Sequence, residues 1–102
     1  MPHPESLSTF IDQARANLAL RMELDDPAAI EVVEARYVTW PNGALGCPEP
    51  DMMYTQALVR GYRIMLRTGG ETYAYHGSRD QPPFYCPARR AETPMPDGDA
   101  EI

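Results

Sequence analysis

Residues 61–77, "GYRIMLRTGGETYAYHG", carry the clearest fold signal in the chain. In the first half, Tyr62, Ile64 and Leu66 alternate with arginine and methionine, as in a strand of a sheet that has one wetter face. Gly69 and Gly70 follow, and glycine accepts the positive φ that tight hairpin turns demand. The second half, "TYAYHG", reads as a returning strand rich in aromatic residues. The stretch therefore predicts an antiparallel β-hairpin.

Further strands are predicted on both sides of this hairpin. The segment "AIEVVEARYVTW", residues 29–40, is rich in β-branched and aromatic side chains and reads as a strand. "YTQALV", residues 54–59, predicts another, with residues 60–61 turning or bulging the chain before the hairpin. "PPFYC", residues 82–86, adds a short edge segment. Strict alternation along the first strand places Val33, Ala35 and Tyr37 on one face and Val32, Glu34, Arg36 and Val38 on the other.

One helix is predicted near the start of the chain, over "SLSTFIDQARANLALRM", residues 6–22. Asp26 before Pro27 is disfavoured in helical geometry and is expected to stop it. The predicted fold is α+β, one N-terminal helix packed on an antiparallel sheet of about four strands. A single domain is expected over residues 5–86, followed by a disordered, acidic and proline-rich tail over residues 87–102. The predicted apolar stripe of the helix consists of Phe10, Ile11, Ala14, Leu18 and Met22.

The charge composition excludes several classes of function. The chain has 102 residues and a net charge of −6, and every basic side chain other than histidine is arginine. Nucleic-acid binding and attachment to anionic membranes both depend on basic clusters, which this sequence lacks. Without lysine, Schiff-base chemistry and Walker-type phosphate binding are absent too. We expect no cofactor, no nucleic-acid partner and no membrane span.

Two features of the sequence point to different cellular compartments. "MPHPESLSTF" lacks the basic start and apolar run of a secretory signal, so the chain as written is expected to be cytoplasmic. Paired cysteines in a small domain instead favour an oxidising compartment. The sequence leaves the compartment open.

Cys47 and Cys86 have alternative interpretations. A structural disulfide between them would close a loop of about forty residues and contribute roughly 3.5–4 kcal/mol of stability. They can also be free thiols, or serve in catalysis or metal binding. A zinc site is disfavoured because His76 and the two cysteines include no closely spaced pair of ligands. We predict no metal site.

The segment "WPNGALGCPEPDMMYTQ", residues 40–56, is the candidate functional loop. Its prolines fix φ at several places and reduce the freedom of the loop before it binds anything. The sequence is compatible with a lid that folds onto the sheet, or with a preorganised loop that contacts a protein partner. The candidate contact residues are Trp40, Pro41, Leu45, Met52, Met53 and Tyr54.

The leading functional hypothesis is a non-catalytic protein-binding or inhibitor-like module that presents this loop. The first alternative is a small hydrolase or thiol enzyme that uses His76 with Ser78 or Cys47, since imidazole can activate a hydroxyl or a thiol. The second alternative is a structural accessory domain without an exposed site. His76 is thus the candidate polar site, and the oligomeric state stays open.

The run "IEVVEARYVTWPNGALGCPEPDMMYTQALVRGYRIMLRTGGETYAYH", with Cys86 after it, resembles a widespread bacterial module. That module is written roughly W-P-x-x-x-L-G-C-P-x-P-x-x-x-Y-T-Q, then G-Y-x-I-x-L, then Y-x-Y-H and a late cysteine. Its members are small, often exported or lipoprotein-attached, and uncharacterised in function. The resemblance supports the fold and the bridge and implies no catalytic residue, cofactor or substrate. The matching positions are Trp40, Pro41, Leu45, Gly46, Cys47, Pro48, Tyr54, Thr55, Gln56, Gly61, Tyr62, Tyr73, Tyr75, His76 and Cys86.

Overall fold

The computed structural model describes residues 7–95, in which one helix packs against a four-stranded antiparallel sheet. The strands lie in the sheet in their order along the chain, β1 to β4. This arrangement confirms the predicted α+β class. The elements are α1 (Leu7–Met22), a 3-10 turn (Pro27–Ala29), β1 (Glu31–Trp40), β2 (Val59–Thr68), β3 (Glu71–Ser78) and β4 (Phe84–Cys86).

The hairpin predicted from residues 61–77 is formed by β2 and β3. Ile64 lies opposite Tyr75, and the register continues without interruption to Thr68 opposite Glu71. Gly69 and Gly70 make the turn with φ of 61° and 81°, values that glycine adopts without a Cβ penalty. The prediction of this hairpin is therefore confirmed in both strands and turn.

The main core lies between α1 and one face of the sheet. Phe10, Ala14 and Leu18 are buried on the helix, and the Phe10 ring stacks on Tyr62 with centroids 4.1 Å apart. Burying a side chain such as Leu or Phe contributes about 1.5–3 kcal/mol each, so this layer supplies much of the stability. The predicted stripe differs in one place: Met22 is exposed, and Ala19 is buried instead.

The end of α1 has a different cause from the predicted one. Glu23 adopts a left-handed conformation with φ of 58°, and the N–H of Leu24 donates to the carbonyl of Ala19. This is the Schellman pattern of helix termination, here with glutamate at the position that glycine usually occupies. The helix therefore ends at Met22, before the Asp26–Pro27 step that was expected to stop it.

A β-bulge at Val33 changes the two faces of β1. Val32 pairs with Leu66 and Glu34 pairs with Met65, so Val33 is an extra residue without a partner on β2. An extra residue reverses the alternation on one side of the bulge. Val32 therefore packs into the helix-side core together with Ala35, while Val33 is exposed. The predicted faces are wrong for these two valines, because strict alternation takes no account of a bulge.

The strand predicted over residues 54–59 is wrong except at its last residue. β2 begins at Val59, opposite Trp40, and residues 60–61 lie inside β2 rather than in a turn. Trp40 is the last residue of β1, and the next residue, Pro41, has no N–H to donate to a ladder. Residues 54–58 thus have no strand to pair with. Residues 41–58 instead form one long connection, termed here the β1–β2 loop.

The β1–β2 loop covers one end of the sheet face opposite α1. Val38, Trp40 and Leu45 form a second buried cluster there, separate from the helix-side core. Val59 and Phe84 pack against its margin. The sheet is therefore covered on both faces, by the helix on one and by this loop on the other.

Residues 87–95, which composition assigns to the predicted disordered tail, follow β4 across the β1–β2 loop. The N–H of Glu92 donates to the carbonyl of Gly46 at 2.8 Å, and the N–H of Met95 donates to the carbonyl of Thr39 at 2.9 Å. These contacts use backbone groups, which every sequence carries, so composition gives no sign of them. Residues 96–102, the rest of the predicted tail, lie outside the described residues.

Candidate functional site

Trp40 is the buried base of the β1–β2 loop. Its side chain is fully buried, its ring lies 4.5 Å from the His76 ring, and its indole N–H donates to the carbonyl of Gly77 at 3.2 Å. Gly46 and Gly61 lie so close to the indole that a Cβ on either would overlap the ring. Trp40 is therefore a core residue that fixes the loop to the sheet.

The first part of the loop, residues 42–46, turns inward over this indole, and we term it the inward turn. Asn42 accepts a hydrogen bond from the N–H of Ala44 through its side chain, as in an Asx turn. Leu45 and Gly46 then take φ of 56° and 72°, which places the Leu45 side chain in the buried cluster. The sequence signals for this turn, Asn42–Gly43 and Gly46, were visible, but their inward direction was not.

A disulfide joins the loop to β4. Cys47 and Cys86 are both buried and are bridged, with Cα atoms 5.9 Å apart and a sequence separation of 39. In the chain-entropy model such a bridge contributes about 4 kcal/mol. Arg90 donates from Nη2 to the Cys47 sulfur at 3.3 Å. Of the alternatives that the sequence left open for the two cysteines, the structure contains the structural disulfide.

The tip of the loop is fixed by its own hydrogen bonds. The Tyr54 hydroxyl accepts from the N–H of Glu49 at 3.0 Å, and the N–H of Met52 donates to the carbonyl of Glu49 at 3.3 Å. Asp51, between them, has φ of 66°. These contacts close a small ring around the tip, so residues 49–54 have a defined shape.

The returning part of the loop, residues 52–58, is exposed except for the half-buried Tyr54. Met53 is 95% exposed, Met52 57% and Leu58 63%. The carbonyl of Thr55 accepts from the N–H of Gly43 at 2.9 Å, which holds this part against the inward turn. We term Met52, Met53 and Leu58 the apolar rim.

The predicted contact residues therefore separate into two groups. Trp40 and Leu45 are buried, Pro41 and Tyr54 are half-buried, and Met52 and Met53 are exposed. The loop thus has a buried part that covers the sheet and an exposed part that faces solvent. Leu58 was missed because it was assigned to a strand; the signal that could have found it is Pro41, which ends β1 and so leaves residues 54–58 unpaired.

His76, the candidate polar residue, lies fully buried beneath Trp40. Its Nδ1–H donates to the carbonyl of Leu45 at 2.9 Å, and its Nε2 has no hydrogen-bond partner among residues 7–95. Desolvation lowers the pKa of His76 to about 4; the Leu45 hydrogen bond opposes this shift, and the charge of Arg63 adds to it. The imidazole is therefore neutral near pH 7.

Neither pair considered for catalysis is hydrogen-bonded in this structure. Nδ1 of His76 is engaged by Leu45 and Nε2 is without a partner, so Ser78 makes no hydrogen bond to the ring. Cys47 is in the disulfide and has no thiol to activate. His76 packs against Trp40 and holds the Leu45 carbonyl by its hydrogen bond.

Neither a metal-binding cluster nor a membrane-spanning helix is present in the part of the chain that the structure describes, residues 7–95. No three side chains of His, Cys, Asp and Glu come together there in a way that would hold a metal ion. No helix in that part has the length and apolarity needed to cross a membrane.

The fold and the site together define a small α+β domain with a disulfide-braced loop on the sheet face opposite its helix. Residues 11–86, most of the described structure, match the domain of unknown function DUF8738, and the chain belongs to that family. The matched region includes the whole stretch from Trp40 to Cys86. No curated protein and no solved structure matches the chain.

Proposed function

We propose that this domain is a non-catalytic protein-binding module, inhibitor-like in design, and that it binds its partner through the apolar rim. The observation that carries the proposal is the 95% exposure of Met53 on a loop fixed at several points. Single exposed apolar side chains are common on protein surfaces. Here, however, Met52, Met53 and Leu58 share one short segment of a structured loop.

The supports of the loop favour binding by lowering its entropic cost. Cys47 is bonded to β4, Thr55 to the inward turn and Tyr54 to the backbone of the tip. A loop that is already ordered loses less conformational freedom on association. Small binding and inhibitor modules gain affinity by this route, and none of it requires a catalytic group.

Methionine suits such a contact because its side chain is flexible and polarizable and adapts to an apolar pocket. Transferring a methionine side chain from water into such a pocket contributes about 1.5–3 kcal/mol. That range corresponds to a factor of roughly 10–150 in the dissociation constant. Met53, the more exposed of the two methionines, is expected to contribute the larger share.

Site-specific photocrosslinking tests the proposal. A photoreactive p-benzoylphenylalanine is placed at Met53 in one variant and at Leu20 in another, and each is irradiated in extract of the source cells. Leu20 is the matched control because it is 81% exposed but lies on α1, away from the loop. We expect a discrete adduct from position 53 only.

Competition then decides whether the adduct is specific. Excess unlabelled wild-type protein should abolish the adduct, whereas the M52D/M53D double variant should compete at least about tenfold less well. Equal adducts from positions 53 and 20, or equal competition by the wild type and the double variant, would overturn the proposal. Circular dichroism of the double variant checks that the fold is retained.

A further inference from the structure

A second feature, distinct from the apolar rim, lies on the same sheet face nearer the hairpin turn. It is a cavity of about 210 Å³ between the sheet and the turn that follows β4. Met65 and Ala74 form its floor, and Ala88 and Ala91 lie on its opposite side. Thr72 and Ala88 are solvent-exposed, so the cavity is reached from the surface.

Arg63 lines this cavity, and its guanidinium has one distant ion-pair partner, Glu34, and no side-chain hydrogen bond within residues 7–95. Its side chain is only 19% exposed, and its Nε is buried without a hydrogen-bond partner in that part of the chain. The nearest carboxylate oxygen, on Glu34, is 3.9 Å from Nη1. Glu34 is itself engaged more closely by Arg36, at 2.6 Å.

A guanidinium in this situation favours a carboxylate. Two parallel N–H groups of arginine match the two oxygens of a carboxylate, and such charge-assisted bonds are stronger in a partly desolvated site. Part of the lining is apolar and suits a hydrocarbon body, namely Met65, Ala74, Ala88 and Ala91. Glu71 also lines the cavity and disfavours a second negative charge.

We infer that this cavity binds a small monocarboxylic acid, with its carboxylate on Arg63 and its apolar body against Met65 and Ala74. The volume fits a compact aromatic or branched aliphatic acid rather than a long chain. This site shares no residue with the apolar rim, and the inference does not depend on the proposed function.

Titration of the ¹⁵N-labelled protein with sodium benzoate tests the inference, with benzamide as the neutral probe of the same shape. We expect saturable shifts at the amides of Met65, Ala74 and Ala88 with benzoate, and binding at least about tenfold weaker with benzamide. The R63Q variant should lose benzoate affinity by at least about tenfold. R63K keeps the charge but not the planar guanidinium, so its benzoate affinity should lie between those of the wild type and R63Q.

The R67Q variant is the matched control, because Arg67 lies on the same strand and is exposed outside the cavity. It should bind benzoate as the wild type does. Absence of saturable shifts, equal affinity for benzamide, or equal losses in R63Q and R67Q would each overturn the inference. The spectrum of R63Q without ligand shows whether that variant is folded. If it is not, the benzoate affinity of R63K, compared with that of R67Q, tests the inference.

Discussion

Replacing Gly46 by alanine tests how the β1–β2 loop packs on the sheet, because the substitution is unfavourable for two separate reasons. Gly46 has φ of 72°, a conformation that costs a residue with a Cβ about 1–2 kcal/mol. The added methyl group would also overlap the buried Trp40 ring, and overpacking of this kind costs about 1–3 kcal/mol. The G46A variant is therefore expected to lose about 2–5 kcal/mol of unfolding free energy.

Gly69 separates the two contributions. Its φ of 61° is similar, but a Cβ there would have no atom within 4 Å. The G69A variant should therefore lose only the conformational part, about 1–2 kcal/mol. The difference between the two variants measures how tightly the loop packs on Trp40.

Urea unfolding provides the assay. Trp40 is the one tryptophan in the sequence, so its fluorescence reports directly on this cluster, and circular dichroism reports on the sheet. With a slope of about 1.5 kcal/mol per molar urea, the midpoint of G46A should lie about 0.7–2 M below that of G69A. If the two variants unfold within about 0.3 M of each other, the loop does not pack on Trp40 as described.

The remaining predictions concern the disulfide and His76. Replacing Cys47 and Cys86 by alanine should lower the unfolding free energy by about 4 kcal/mol, measured by urea unfolding. Intact mass after alkylation should show the wild-type thiols only once a reductant is added; labelling without reductant would contradict the bridge. For His76, the folded pKa of about 4 lies below the ordinary 6.5, so the unfolded chain binds the extra proton between these values. Stability should therefore be constant for this group above about pH 6.5 and fall by roughly 2–3 kcal/mol toward pH 4. The H76Q variant should show a flatter profile between pH 6.5 and 5, and an unchanged slope would show that His76 is not the group that titrates.

Local patterns in the sequence predicted the hairpin and the helix because each depends on neighbours along the chain. The alternation of Tyr62, Ile64 and Leu66 and the Gly69–Gly70 turn carry the hairpin, and both are features of adjacent residues. The bulge at Val33 depends on the register between β1 and β2, which no local pattern specifies. The strand predicted at residues 54–59 was wrong for a similar reason. A strand requires a hydrogen-bonded neighbour, and β1 ends before Pro41, so it does not extend far enough to pair with residues 54–58.

The sequence predicted which residues form the candidate loop but not which of their side chains are buried. The prolines, glycines and apolar residues between Trp40 and Tyr54 indicated a constrained loop. Which side chains turn inward depends on the shape of the sheet surface beneath the loop, and above all on His76. Arg63 gave no signal in the sequence, because an arginine in an alternating strand reads as an ordinary exposed residue. Only the structure shows that its side chain is mostly buried and that its Nε has no hydrogen-bond partner within residues 7–95.

Two supports of the β1–β2 loop, Cys86 and Glu92, are far from it in sequence, and this affects the order in which the supports become available during synthesis. Residues 41–58 leave the ribosome before Cys86 and Glu92, which supply the bridge and the backbone bond to Gly46. In a nascent chain that has not yet reached these residues, Cys47 is an unpaired thiol, and the loop that carries Met53 has only its internal hydrogen bonds. Oxidation or premature association at this stage would involve a loop of different shape. The loop therefore gains its full set of contacts only when the last described segment has been translated.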